Sequence, residues 1–420
     1  MTIAGWVEYT KELPNLKFII LRDNGGLAQI TIHKKNSPKE LVDLSDRINS
    51  QDVLSVTGEV AKKQIAKIGP EVHPTAISIL NKSDIPLPVD ITGSATTQLD
   101  TRLDWRVLDL RNPRNRAIFQ IESKIVESFE EHLDSNGFLQ VFTPTILGGI
   151  SEGGSEVFQI DYFGKNAFLR QDPQLHRQLA IAGGLDKIYD LGTSWRAEKS
   201  HTPNHLCEHR ACAAELGFID DETDTERVEE RMVADAFAKV SNDCKAQLEV
   251  LGVKLEVPSL PFPELRFPEV YDILKEYGNQ ISINDEMNRE REKILSTHVK
   301  EKFKHDFFFL NRFPFSTKPF YVMRVDEDPR WARSVDLVYR GLELSSGGQR
   351  EHRYDKLIEQ VKIKGMKLEE IAWFTKFFKY GVPPHGGFAL GLERTVMQML
   401  SIENIRETVL FPRTPERLDP

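Results

Sequence analysis

The chain has 420 residues, 40% of them apolar and 28% charged, with 64 acids against 55 bases for a net charge of −9. That length and balance suit two or three globular domains and exclude a protein that coats polyanions through general basicity. No run approaches the ~18–20 apolar residues of a membrane span. The opening MTIAGWVEYT also lacks a basic segment leading into an apolar one, so no membrane partner and a cytoplasmic location are expected. Cys207, Cys212 and Cys244 form no CxxC pair, which suits packing residues in a reducing compartment rather than zinc or redox chemistry.

Residues 1–83 read as a small β-barrel. Lys17 to Leu21 is a strand, Arg22 to Gly26 a turn, and Ala28, Ile30 and Ile32 alternate with Gln29, Thr31 and His33, as in a hairpin with one buried face. A helix at Ser37 to Ile48 and strands at Val53 to Val60 and Ala76 to Leu80 complete a barrel of oligonucleotide-binding (OB) size. His33-Lys34-Lys35 and Lys62-Lys63 are its basic clusters. Residues 84–103, rich in Pro, Gly, Ser and Thr, read as a connector, and 104–420 as a second, α+β domain. There Ile118 to Leu133 has helical apolar spacing and stops at Asn136-Gly137, before a strand from Phe138 to Phe142.

Four clusters in the second domain carry chemistry. Ser151 to Glu156 (SEGGSE) is a glycine-hinged acidic loop ahead of a strand pair at Val157 to Tyr162 and Ala167 to Leu169. In Trp195-Arg196-Ala197-Glu198, an arginine and an acid two apart on a strand face the same way and fit one nucleotide, the guanidinium on phosphate and the carboxylate on an amine. Asp336 with Glu343 and Ser346 is an oxygen set of the kind magnesium uses beside phosphate, and Arg350 follows the glycine pair Gly347-Gly348. Pro383 to Arg394 is a glycine-rich strand running into a helix, with Arg394 in its first turn, able to stack on a base or meet phosphate.

The four clusters in this order resemble the class II aminoacyl-tRNA synthetases of subclass IIb, specifically the archaeal and eukaryotic type of aspartyl-tRNA synthetase, over nearly the whole chain. Gly137 to Ile146 around Pro144 resembles motif 1, the dimer-forming element, Trp195 to Glu215 motif 2, and Gly391-Leu392-Glu393-Arg394 motif 3. The resemblance implies an N-terminal OB-fold barrel that reads the anticodon and a catalytic domain built on an antiparallel sheet flanked by helices. It implies a homodimer using ATP with Mg2+, an acidic amino acid and tRNA. By the same match Arg196 would hold the α-phosphate and the attacking carboxylate, Glu198 the adenine amine, and His205 and Arg394 the two faces of adenine. Asp336 and Glu343 would carry the metal beside Ser346. Glu152, Gln174, Arg350 and His385 would belong to the amino-acid pocket, with Glu152 closing on the ammonium and Arg350 forking the side-chain carboxylate. Phe18, Arg22 and Gln29 would contact anticodon bases.

Three departures bear on the substrate. Gln171 to Gln178 reads QDPQLHRQ where the family usually has QSPQLYKQ, so Asp172 replaces a serine and Arg177 a lysine. Ala211-Cys212-Ala213 stands where SID is usual, which removes an acid at Ala213. The expectation is that Asp172 takes over the ammonium contact and Arg177 the acid contact. In the barrel, Glu8 occupies a position that is usually aromatic or imidazole near the third anticodon base, and a carboxylate there repels phosphate. Two activities are compatible with this sequence: aspartate–tRNA ligation, discriminating or not, and adenylation of an aspartate-like amino acid for delivery to another acceptor. Retention of a complete ATP set argues against a catalytically weak RNA-binding protein.

Overall fold

In a computed structural model of the chain, residues 1–62, 68–93, 97–149, 156–197, 199 and 202–420 are described. Contacts divide the chain into two units, Met1–Asp90 and Ile91–Pro420. The first unit holds β1 (Thr2–Glu12), β2 (Leu16–Arg22), β3 (Leu27–His33), α1 (Lys39–Ser45), β4 (Val53–Val60) and β5 (Glu71–Asn81). The strands close in the order β1-β2-β3-β5-β4, which is the OB topology. Alternation makes the barrel: Val7, Ile19, Leu21, Ile30, Ile32, Leu54 and Val56 point into one core, leaving the intervening side chains on the outer surface.

The second unit begins with α2 (Leu99–Asp104), α3 (Arg106–Asp109) and α4 (Pro113–Ser135), so the end of the segment read as a connector is helical. Asn112 caps α4 by accepting from the Arg114 amide, and Pro113 opens the helix where no amide donor is needed. Short strands β6 (Leu139–Gln140), β7 (Ile146–Leu147), β8 (Gln159–Tyr162) and β9 (Lys165–Leu169) follow, then α5 (Gln174–Ala182), β10 (Lys187–Trp195) and β11 (Glu208–Gly217). Next come α6 (Thr223–Asp243), α7 (Lys245–Leu251), β12 (Glu264–Arg266), α8 (Glu269–Glu276), α9 (Arg289–Phe303) and β13 (Phe307–Asn311). The chain continues through β14 (Ser334–Tyr339), β15 (Leu342–Arg350), α10 (Tyr354–Ile363), α11 (Leu368–Thr375), β16 (His385–Gly391) and α12 (Leu392–Met399).

Eight strands form one sheet in the order β12-β13-β14-β15-β16-β11-β10-β6, antiparallel except at the two outermost pairs. α4, α6 and α12 bury Ile121, Ile125, Phe129, Met232, Phe237 and Val396 in a core shared with Cys212, Ala214, Leu337, Leu344, Phe388 and Leu390 of the sheet. All three cysteines are free and buried, as packing residues should be. Among the described residues no helix is long and apolar enough to cross a membrane.

α6 also buries Glu229, 2% exposed, with Oε1 lacking a hydrogen-bond partner among the described residues. Burial pushes its pKa up to about 8. The folded state therefore keeps a proton that the unfolded chain releases near 4.5, and stability is lost as pH rises between those values. Glu229→Gln is expected to raise the melting temperature more at pH 8 than at pH 5, by a few degrees on the order of 1–2 kcal/mol. Equal gains at the two pH values would show that the proton is not retained.

Candidate active site

The sheet displays one face of alternating residues to a cavity of about 390 Å3. Ser194 of β10, His209 and Ala211 of β11, Leu344, Ser346 and Arg350 of β15, and Ala389 and Gly391 of β16 line it, because register places Ala211 opposite Gly391 and Ser346 opposite Ala389. Ala213 and Glu215 follow His209 and Ala211 at the same alternation on β11. Gln171, Asp172 and Gln174 at the start of α5, together with Arg196, His205, Lys318, Glu343 and Arg394, complete the wall. Residues from three of the four sequence clusters thus meet around one space, and Ser151 to Ser155 of the other lie outside the described residues.

At one end the polar groups form a closed network. Arg350 donates from Nε to Glu215 (2.9 Å) and from Nη2 to Gln174 Oε1 (3.1 Å) and the Gly387 carbonyl (3.0 Å). Gln174 Nε2 donates to Glu215 (2.9 Å), and Gln174 Oε1 also accepts from Arg177 (2.8 Å). Gly387 must be glycine, since a Cβ there would collide with the Ala214 carbonyl and the Glu215 carboxylate.

Arg177 does not face the cavity as the sequence suggests. Helical side chains lean back toward the N-terminus, and its buried guanidinium forks Asp172 just ahead of α5 at 2.8 and 2.7 Å. Asp172 and Arg177 thus pair with each other, and of the two only Asp172 lines the cavity. Burial opposes the charge on Asp172, but Arg177 outweighs it and holds the carboxyl below its ordinary 3.8. His385 does not line the cavity either. It is wholly buried, with Nδ1 beside the Pro383 carbonyl (2.9 Å) and Nε2 near Gln178 Oε1 (3.3 Å), and burial drives its pKa down to about 4.

At the other end Arg394, in the first turn of α12, donates to the Glu343 carbonyl (3.1 Å), and its Nη1 lies 3.7 Å from the Glu343 carboxylate. Asp336 accepts from Ser346 (2.7 Å) and from Lys318 Nζ (2.9 and 3.2 Å), and it lies beneath Lys318, off the cavity wall. Two carboxylates and a hydroxyl on neighbouring strands are the hard oxygen donors a divalent ion takes beside phosphate, so these residues fit one. No three His, Cys, Asp or Glu side chains converge among the described residues, so such an ion would need oxygen atoms from a nucleotide or water.

Arg196 lies past the end of β10 rather than on a strand, with its amide on the Cys207 carbonyl (2.9 Å). Glu198 and Glu152 fall outside the described residues. Lys318 and His209 are among the cavity residues that escaped the sequence reading. Lys318 stands alone in a turn, and nothing in its neighbourhood signals a role. His209 could have been found from the alternation with Ala211 and Ala213. Burial, then Arg196 and Arg394, keep its imidazole neutral by lowering its pKa to about 4.

In the barrel, Phe18 and Gln29 are half-buried on β2 and β3, with Gln29 donating to Thr31 (3.2 Å). Arg22 is buried. It donates to Glu8 (2.7 Å), which a bulge between Val7 and Tyr9 turns toward it, and lies 5.5 Å over Trp6. Glu8→Gln is expected to strengthen RNA binding by the whole protein about two- to fivefold at low salt, through removal of one phosphate-repelling charge. Filter binding with total tRNA checks this.

A fold of OB barrel plus antiparallel sheet, with an arginine at each end of the cavity and a carboxylate beside each, defines a class II aminoacyl-tRNA synthetase. The chain belongs to that family, matching tRNA synthetases class II (D, K and N) over residues 98–415 and the OB-fold nucleic acid binding domain over residues 1–80. It is 43% identical to the aspartate–tRNA(Asp) ligase of Pyrococcus furiosus over 100% of this chain and 95% of that one. Over the same shares it is 41% identical to the aspartate–tRNA(Asp/Asn) ligase of Methanopyrus kandleri. Among solved structures, asparaginyl-tRNA synthetase from Pyrococcus horikoshii complexed with asparaginyl-adenylate superimposes with a TM-score of 0.92. That match has 30% identity and covers 100% of this chain and 96% of that one.

Proposed function

We propose that the enzyme activates aspartate with ATP and transfers the aspartyl group to tRNA in the cytoplasm. Arg350 carries this reading. Three acceptors fix its guanidinium, while Nη1 has no partner among the described residues and can complete a fork on a side-chain carboxylate. Asp172, at the same end of the cavity, supplies a charge for the substrate ammonium. The names of the relatives, matched along the full chain, agree with aspartate, and a barrel retained alongside the catalytic unit favours an RNA acceptor over a metabolite or protein.

In this reading the substrate carboxylate attacks the α-phosphorus and pyrophosphate leaves. Arg196 spreads the developing charge, Arg394 and His205 hold the adenine, and preorganised cations carry most of the rate gain. Glu198 and Glu152 are assigned to the adenine amine and the ammonium. Asp336, Glu343 and Ser346 would hold Mg2+, which would neutralise phosphate charge. Phe142, 85% exposed beside Pro144, and half-exposed Leu139 and Ile146 leave the motif 1 segment uncovered, which supports a homodimer through that face. Pyrophosphate exchange with aspartate, asparagine and acidic analogues, followed by charging of total tRNA, tests the assignment. Exchange with an analogue but not with aspartate would overturn it.

A further inference from the structure

Lys318 is the cavity residue with the least explanation. It lines the wall, yet its ammonium points at Asp336, with Nζ 2.9 Å from Oδ2 and 3.2 Å from Oδ1. The pair is nearly sealed, the lysine side chain being 13% exposed and the aspartate 8%. Nζ also sits 3.7 Å from the centroid of the Phe313 ring, a second station that holds a cation. Ser346 occupies Oδ1 as well, so both oxygens of Asp336 are spoken for.

A divalent ion drawn to the nearby Glu343 must therefore compete with a covalently tethered cation before it reaches Asp336. At contact distance two unit charges interact by several kcal/mol even at an effective dielectric near 20. Desolvation returns part of that, and a smaller net effect remains.

We propose that Lys318 is an internal counter-ion that holds the place of the metal on Asp336. It suppresses metal binding to the empty site and turns to a nucleotide phosphate when nucleotide and metal arrive together. Lys318 is thus a positioning residue. It keeps the unliganded site electrically balanced and couples metal entry to nucleotide entry, because the phosphates offer its ammonium a replacement anion while the metal takes Asp336 and Glu343. Arg394, 3.7 Å from the Glu343 carboxylate and lining the same wall, is the corresponding cation on the other acid. The inference rests on reading this end of the cavity as the nucleotide site.

The test is the affinity of the full-length protein for Mn2+ alone, with no nucleotide, measured by the electron paramagnetic resonance of free Mn2+. K318M keeps the length and the packing on Phe313 while deleting the charge, and K318Q keeps a neutral donor. Both are expected to bind Mn2+ roughly tenfold more tightly than wild type, and the gain should vanish when D336N is added to K318M. Thermal melting confirms that the variants compared are folded. Unchanged or weaker Mn2+ binding in both variants overturns the proposal, as does a gain that survives D336N. Pyrophosphate exchange on the same wild-type preparation reports separately on the adenylation reading.

Discussion

Arg350→Lys is expected to lower kcat/KM for aspartate in pyrophosphate exchange by about 10²–10³-fold while changing the KM for ATP less than threefold. The guanidinium reaches Glu215, Gln174 and the Gly387 carbonyl from one rigid plane and still has Nη1 to offer. An ammonium is a single point with three donors, so a lysine that satisfies the buried Glu215 has no fork left for a substrate carboxylate. Losing one partner of a hydrogen-bonded charge pair costs roughly 2–5 kcal/mol, which sets the size of the effect. Lysine is preferred to methionine because Glu215 is wholly buried, and stripping it of every cation would threaten the fold itself. Selectivity should fall too. Asparagine lacks the charge that Arg350 reads, so the ratio of aspartate to asparagine activation should shrink with the aspartate rate. If both substrates lose the same factor, Arg350 shapes the pocket without reading the side chain.

Local pattern made much of this fold legible. In the alternation Ala28, Ile30, Ile32 the two isoleucines form the inward face of β3, and the apolar spacing from Ile118 to Leu133 is the buried stripe of α4. The glycine-rich strand leads straight into α12, as its composition suggested, and Gly386 and Gly387 sit where neighbouring strand backbones approach closely. Tertiary partners were not legible. Period and charge type name a cation at Arg177 and an imidazole at His385, but they do not say that α5 turns the cation back onto Asp172 or that β16 buries the ring beside Pro383. Lys318 is harder still, since its role depends on a strand, β14, that follows it by more than a dozen residues and lays Asp336 beneath it. Resemblance identified the elements of the pocket; only packing determined which charges were already spoken for.

The exchange of charges in the pocket leads to the second large effect. Asp172→Ser alone should cost about 3–5 kcal/mol of folding free energy, because Arg177 is 1% exposed and, among the described residues, its Nε lacks a partner and the fork to Asp172 supplies two of its three hydrogen bonds. Replacing Arg177 by lysine in that background restores the usual residues at both positions but leaves a buried ammonium without the acid that forked Arg177, so D172S/R177K should remain unstable and lose aspartate activation. Adding A213D supplies the missing carboxylate from β11. Ala213 shares its strand face with Glu215, whose carboxylate already reaches Gln174 and Arg350, so the new acid would enter the same network. The triple variant D172S/R177K/A213D is therefore expected to recover most of the stability and to regain pyrophosphate exchange within about tenfold of wild type, a coupling of at least ~2 kcal/mol between positions that are distant in sequence. In wild type the pair's contribution is present above about pH 4, because Arg177 keeps Asp172 below its ordinary 3.8, and is lost only as pH falls through that lowered value. Urea melts at pH 7 and pH 3 on the four proteins separate the outcomes. If the triple variant is no more stable than the double, Asp172 has not replaced an acid lost at position 213, and the pocket balances its charge by some other group.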